Sequence, residues 1–281
     1  MSDKKNPYSV PTTGHVWDET LAELLNQPPK WWWIGFHASW MFVLIYSLLY
    51  PTWPLINTHT KGLMGWTSIK EYKEDLQEIE AVRAKYESKL PGMSAAAILA
   101  DDELSEYAVR SAKVLFGDNC AACHGAGGSG NPGFPVLADD DWLYGGTIEA
   151  IEQSITNGRR GMMPKMGGAQ LTDAEIDKLA SAIVAGKVTE EPLYMEKGCV
   201  GCHTPTGTGM QALGSANLMD GIWRFAPGSK ESVAYTIKHG VNDPSDPKTR
   251  DAEMPKFGGG KLSDTDIKKL AVYVYKLGGG Q

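Results

Sequence analysis

Cysteine is scarce in this chain: four residues in 281, at 120, 123, 199 and 202. All four fall in two short motifs. None remains for a structural disulfide, so their placement speaks for cofactor attachment rather than a disulfide scaffold. Histidine is scarce too: two of the six stand directly after the cysteine pairs, and His15, His37, His59 and His239 are scattered. A basic excess is lacking. The net charge of −7 argues against a nucleic-acid partner, because phosphate binding needs clustered Lys and Arg. Glycine is plentiful by contrast, 32 residues with many after residue 116, as expected where irregular backbone wraps a prosthetic group.

Charge of either sign is missing from Trp31 to Thr60, a stretch bracketed by Lys30 and Lys61. As a helix, Trp31 to Tyr50 would span ~30 Å, the thickness of a bilayer core. Trp31, Trp32 and Trp33 at one end, with Tyr50 and Trp53 at the other, form the aromatic belts of two membrane interfaces. Pro51 and Pro54 end the helix. A cleaved signal peptide would have a short basic leader. The leader here is 30 residues long and contains Asp3, Asp18, Glu19 and Glu23, so a retained anchor is expected. For His37, inside the span, a hydrogen bond to a neighbouring helix is favoured over a ligand role. Lys and Arg flank the span too evenly to orient it.

The polar leader, 1–30, is expected to carry a short helix from Val16 to Asn26. Thr67 to Lys89 reads as an exposed spacer helix opened by a Ser68/Glu71 capping box, with a thin stripe of Tyr72, Leu76, Ile79 and Tyr86. From about Glu103 the chain repeats itself. The first copy reads CAACH, DDDWLYGG, MPKMGG, LTDAEIDKLASAI. The second reads CVGCH, MDGIWRFAPG, MPKFGG, LSDTDIKKLAVYV, with an extra loop near Asn242 to Asp251. In both, nine positions separate the Met-Pro methionine (Met163, Met254) from a helix-capping hydroxyl (Thr172, Ser263). Such ordered duplication predicts two small helical domains, each around its own cofactor.

Cys-x-x-Cys-His is the attachment signature of c-type haem. Two thiols form thioethers to the porphyrin edge, and the adjacent histidine ligates the iron. Cys120, Cys123, Cys199 and Cys202 are thus anchors, and His124 and His203 proximal ligands, of two covalently bound haems c. A shared zinc site would place its cysteine pairs about 15–20 residues apart, far closer than Cys123 and Cys199. Met163 and Met254, at matching places before a proline, are the chosen sixth ligands, since His/Met ligation raises the reduction potential. Met162 and Met166 are rivals for the first haem. Met166 aligns with Phe257, which suggests packing. Each copy supplying its own methionine is the default, and an exchange between copies is compatible with the sequence. Trp142 and Trp223 match between copies and read as haem packing. Arg159, Arg160 and Arg224 are candidates for haem propionates. The remaining histidines form no haem–copper oxygen centre, and two six-coordinate irons leave no open position for substrate. The chain is therefore expected to conduct electrons, with no catalytic residue of its own.

TTGHVWDE at Thr12 to Glu19, PKWWW at the start of the span and YPTWPLI at its end, together with CAACHG, GMMPKMGG, GCVGCH and EMPKFGG, resemble the CcoP (FixP) subunits of cbb3-type cytochrome c oxidases. The resemblance covers nearly the whole chain. It implies an all-α fold: one N-terminal transmembrane helix followed by two tandem class I cytochrome c-like domains. The expected division is a cytoplasmic leader 1–30, an anchor 31–56, a periplasmic spacer 57–100, a first haem domain 101–187 and a second 188–281. By the same resemblance the chain is a single-pass protein of the bacterial inner membrane, haem domains in the periplasm. It would take electrons from a donor cytochrome c and pass them to the mono-haem cytochrome c subunit. That subunit feeds the haem–copper catalytic subunit, where oxygen is reduced and protons are pumped. An independent anchored di-haem carrier and a di-haem peroxidase are the competing readings.

Overall fold

Residues 12–17 favour extended backbone. β-Branched Thr12, Thr13 and Val16 precede Asp18, whose φ of 45° makes the turn. The result is an antiparallel hairpin of β1 (Thr12–Trp17) and β2 (Leu21–Leu24), with Trp17 opposite Leu21. It stands where the sequence suggested a helix from Val16. The computed structural model describes residues 11–18, 21–225 and 228–279. The first ten residues of the expected leader lie outside them.

The chain divides after Arg83 into two units. In the first, α1 (Lys30–Leu49) buries none of its residues. It is long and apolar enough to cross a membrane, and an apolar helix exposed all round is suited to lipid. Tyr50 N–H closes its last turn on the Tyr46 carbonyl before Pro51 stops it. His37 Nδ1 meets the Trp33 carbonyl one turn back, at 2.8 Å. α2 (Ser68–Glu87) is capped by Thr67, whose Oγ1 accepts from Lys70 N–H at 3.1 Å, not by Ser68 as expected. Glu71 accepts from the Trp66 indole instead.

In the second unit come α3 (Ala95–Ala100), α4 (Asp102–Asn119), α5 (Ala121–His124), α6 (Ile148–Asn157), β3 (Arg159–Arg160) and α7 (Asp173–Val184), all from the spacer and first copy. The second copy gives α8 (Pro192–Glu196), α9 (Val200–His203), α10 (Lys230–His239), β4 (Glu253–Met254) and α11 (Asp264–Tyr275). The capping box at Thr172/Glu175 opens α7, and Ser263 with Asp266 opens α11.

These elements make two cores, and neither is contiguous in sequence. α11 packs against α4 and α6, burying Ile267, Leu270 and Val272 against Ile98, Phe116 and Ile151. α7 packs against α10 and α8, burying Ile176, Leu179 and Ile183 against Tyr194, Val233 and Ile237. The copies have exchanged their last helices. This differs from a division into 101–187 and 188–281. The physical reason is that α7 and α11 carry equivalent apolar faces, so either can close either core. The spacer is not wholly outside either: Leu90, Ala95 and Ile98 are buried in the first core.

Glu87 ties the end of α2 to that core. Its Oε1 accepts from Tyr107 Oη at 2.6 Å and from the buried Lys269 at 2.9 Å. Burial alone would push Glu87 up, but the hydrogen bonds from Lys269 and Tyr107 outweigh it and hold its pKa below the ordinary 4.5. A depressed carboxylate pKa adds stability above the unfolded value that is lost as pH falls through the folded one. Glu87→Gln is therefore expected to cost about 1 kcal/mol at pH 7, since Asp266 still pairs with Lys269, and less at pH 3. Thermal melts at the two pH values check this, and an equal loss at both would refute it.

Candidate haem sites

α4 is opened by Asp101, whose carboxylate accepts from Leu104 N–H, and runs to Cys120. The next turn is α5. His124 N–H bonds the Cys120 carbonyl at 2.9 Å, so Cys120, Cys123 and His124 share one side of a single helical turn. Gly125, at φ 74°, ends it where a Cβ would lie 2.7 Å from Ser129 Oγ. His124 is buried, and its Nδ1 meets the Pro135 carbonyl at 3.0 Å. That contact makes Nδ1 the protonated nitrogen and leaves Nε2 with a free lone pair. Burial pushes His124 below its ordinary pKa, against the Pro135 hydrogen bond, with Arg224 lowering it further.

The second copy repeats the arrangement. His203 N–H bonds the Cys199 carbonyl at 3.0 Å, and His203 Nδ1 meets the Ala216 carbonyl at 2.9 Å. Burial lowers its pKa too. Thr204 occupies the left-handed position that glycine takes at 125. None of the four cysteines is in a disulfide. Burial pushes the Cys120 thiol up to about 11 and raises Cys199. Each copy therefore offers two thiols and one neutral, oriented imidazole nitrogen, a donor set that fits a c-type haem.

The methionines come from the crossing point of the two copies. β3 and β4 pair antiparallel, with Arg159 opposite Met254. Met163 and Val241 exchange both backbone hydrogen bonds, at 2.9 and 2.8 Å. Two glycines permit this. Gly158, after α6, lies against the Met254 carbonyl, and Gly240, after α10, lies against the Met163 carbonyl, with no room for a Cβ at either. Met254 packs on the core that carries Cys120, Ala121 and Trp142. Met163 lies beyond the end of α10, the helix of the other core. Met162 is 65% exposed. Met166 is half-buried in a tight turn, with a φ of 56°.

Some residues at this crossing gave little signal in the sequence. Buried Asn242 donates to the carbonyls of Gly161 at 2.6 Å and Ala252 at 2.9 Å, stitching both methionine strands together. Asp243 accepts from Lys165 N–H at 2.7 Å. Both open the loop recognisable as extra in the second copy. Trp142 Nε1 donates to the carbonyls of Asp139 at 3.0 Å and Gly279 at 2.7 Å, fastening the second copy's last residues to the first copy's loop. Trp223 packs on the second core. Arg159 lies over the Tyr144 ring, Arg160 faces Glu253, and Arg224 is half-buried near Asp141 and Tyr144. A cavity of about 460 Å³ opens between residues 140–146 and 208–217, lined by Asp141, Trp142, Gln211 and Ser215 but by none of the motif cysteines or histidines.

Two family profiles match the chain. One, the cytochrome c oxidase, cbb3-type, subunit III, matches residues 107–181 and 191–274. The other, the N-terminal domain of cytochrome oxidase-cbb3, FixP, matches residues 9–57. The chain is 40% identical to a cbb3-type cytochrome c oxidase subunit FixP of Azorhizobium caulinodans, over 96% of this chain and 94% of that one. It is 34% identical to a subunit CcoP of Cereibacter sphaeroides, over 99% and 98%. It is 35% identical to a subunit CcoP of Azospirillum sp., over 97% and 96%.

Proposed function

The chain belongs to the CcoP/FixP family of cbb3-type cytochrome c oxidase subunits, and from that premise we propose that it is the di-haem electron-transfer subunit of such an oxidase. The observation that carries the reading is the pair of equivalent donor sets, each a helical turn of two thiols and a histidine fixed through Nδ1. Bound haem c supplies a one-electron iron couple. Everything else is the chain's own work. Cys120 and Cys123, and Cys199 and Cys202, hold the two porphyrins covalently. The carbonyls of Pro135 and Ala216 hold Nδ1 of His124 and His203, so that each Nε2 would be free to ligate a haem iron.

The methionines that would complete the two haem sites are exchanged between the copies. Met254 stands with the Cys120–His124 core and completes its set, and Met163 completes the set of His203. With both sets complete, no position is left for oxygen, and oxygen reduction belongs to the haem–copper catalytic subunit. Electrons enter from a donor cytochrome c, cross the two sites and leave through the mono-haem subunit. α1 anchors the chain in the inner membrane with the leader on the cytoplasmic side and the haem unit in the periplasm. Purification from native membranes in mild detergent tests this. Haem b, copper and cytochrome c oxidase activity are expected to travel with the chain. A lone polypeptide with two haems c, from cells making a complete oxidase, would sink the reading in favour of an independent carrier.

A further inference from the structure

An arginine stands four residues before each methionine ligand proposed above: Arg159 before Met163 and Arg250 before Met254. The arginines do not cross over with their methionines. Arg159 is the register partner of Met254. Arg250 bridges Val241, which pairs with Met163. Arg159 is thus opposite the methionine proposed for its own copy's haem, and Arg250 is one strand removed from its counterpart, across Val241. Each is also held by its own copy. Arg159 stacks 4.5 Å from the ring of Tyr144, two residues after Trp142, and its Nε donates to Ser154 Oγ in α6 at 2.9 Å. Arg250 stacks 4.8 Å from the ring of Phe225, two residues after Trp223, and its Nη2 donates to Ser232 Oγ in α10 at 2.9 Å. The two environments are built alike from residues that are not identical.

Among the described residues neither guanidinium forms an ion pair, whereas the adjacent Arg160 faces Glu253. Arg250 Nε is buried with no acceptor. Holding a partly buried cation without a counter-charge is costly, and charge-assisted bonds to a planar carboxylate suit the guanidinium fork. Haem c carries two carboxylates of this kind. We propose that Arg159 and Arg250 are positioning residues, each pairing with a propionate of the haem held by its own copy's cysteines. This rests on the di-haem reading above.

A cation beside the propionate opposes the extra positive charge of ferric iron, so its loss lowers the potential. The test is a spectroelectrochemical titration of the full-length chain carrying both haems, in detergent. Arg250→Gln is expected to lower one of the two potentials by a tenfold change in the reduction equilibrium, about 59 mV for one electron. Arg159→Gln is expected to lower the other, and the lysine variants to restore most of each shift. Two covalent haems with both potentials unmoved, within twofold in the equilibrium, would overturn the proposal while leaving the di-haem reading standing. A chain without covalent haem would sink the di-haem reading itself. Should Arg250→Gln not accumulate, resonance Raman of Arg250→Lys decides: shifted propionate-bending bands support the pairing, and unchanged bands overturn it.

Discussion

Residues 84–187 produced alone will not fold around a haem at His124, although they contain a complete Cys-x-x-Cys-His motif and a Met-Pro methionine. Seven of the seventeen buried residues of the first core come from Phe257 and α11. Burying an aliphatic or aromatic side chain stabilises by roughly 1.5–3 kcal/mol. Losing Phe257, Ile267, Leu270, Val272 and Val274 therefore removes about 10 kcal/mol, as much as the whole stability of a typical domain, ~5–15 kcal/mol. The fragment would also expose α7, whose buried face belongs to the other core. Adding 253–279 back, in trans or by fusion, is expected to restore a helical, haem-binding fold. Circular dichroism and a covalent-haem stain on both samples check this. A stable haem-binding fragment without α11 would mean that α7 can close the core of its own copy.

That outcome bears on what could be read from the sequence. The Cys-x-x-Cys-His turns, the capping hydroxyls at Thr172 and Ser263 and the long apolar helix depend on residues close in the chain, so spacing alone exposed them. The exchange of α7 and α11 depends on a choice between two nearly equivalent partners. An amphipathic face states that it must be covered, not by what. The signals that would have helped were small: Gly158 and Gly240, each placed where a strand from elsewhere comes too close for a side chain, and an extra loop opening on Asn242. The hairpin at Thr12–Leu24 was missed for a different reason. Its alternation is short, and the apolar spacing after Val16 suits a helix as well as a strand.

The methionine exchange proposed above has its largest expected consequence at the metals. In a chain carrying only the first haem, with Cys199 and Cys202 both replaced by alanine, Met254→Ala is expected to abolish the methionine–iron charge-transfer band. Two or more tenfold steps in the reduction equilibrium should be lost with it, each about 59 mV for one electron. Met163→Ala in the same background should leave band and potential in place. The complementary background, without Cys120 and Cys123, should reverse the two results. The opposite pattern would mean that each copy keeps its own methionine. To reach its own copy's site, each strand would have to abandon three things together: the pairing of Arg159 with Met254, the double hydrogen bond of Met163 with Val241, and the two bonds by which Asn242 holds Gly161 and Ala252. Each such bond is worth ~1 kcal/mol, and stranding buried Asn242 without partners costs a further ~1–3 kcal/mol. These pairings favour the crossed arrangement. Under the proposed exchange each haem site is a joint product of both copies, and separating the two methionine strands should loosen both sites at once.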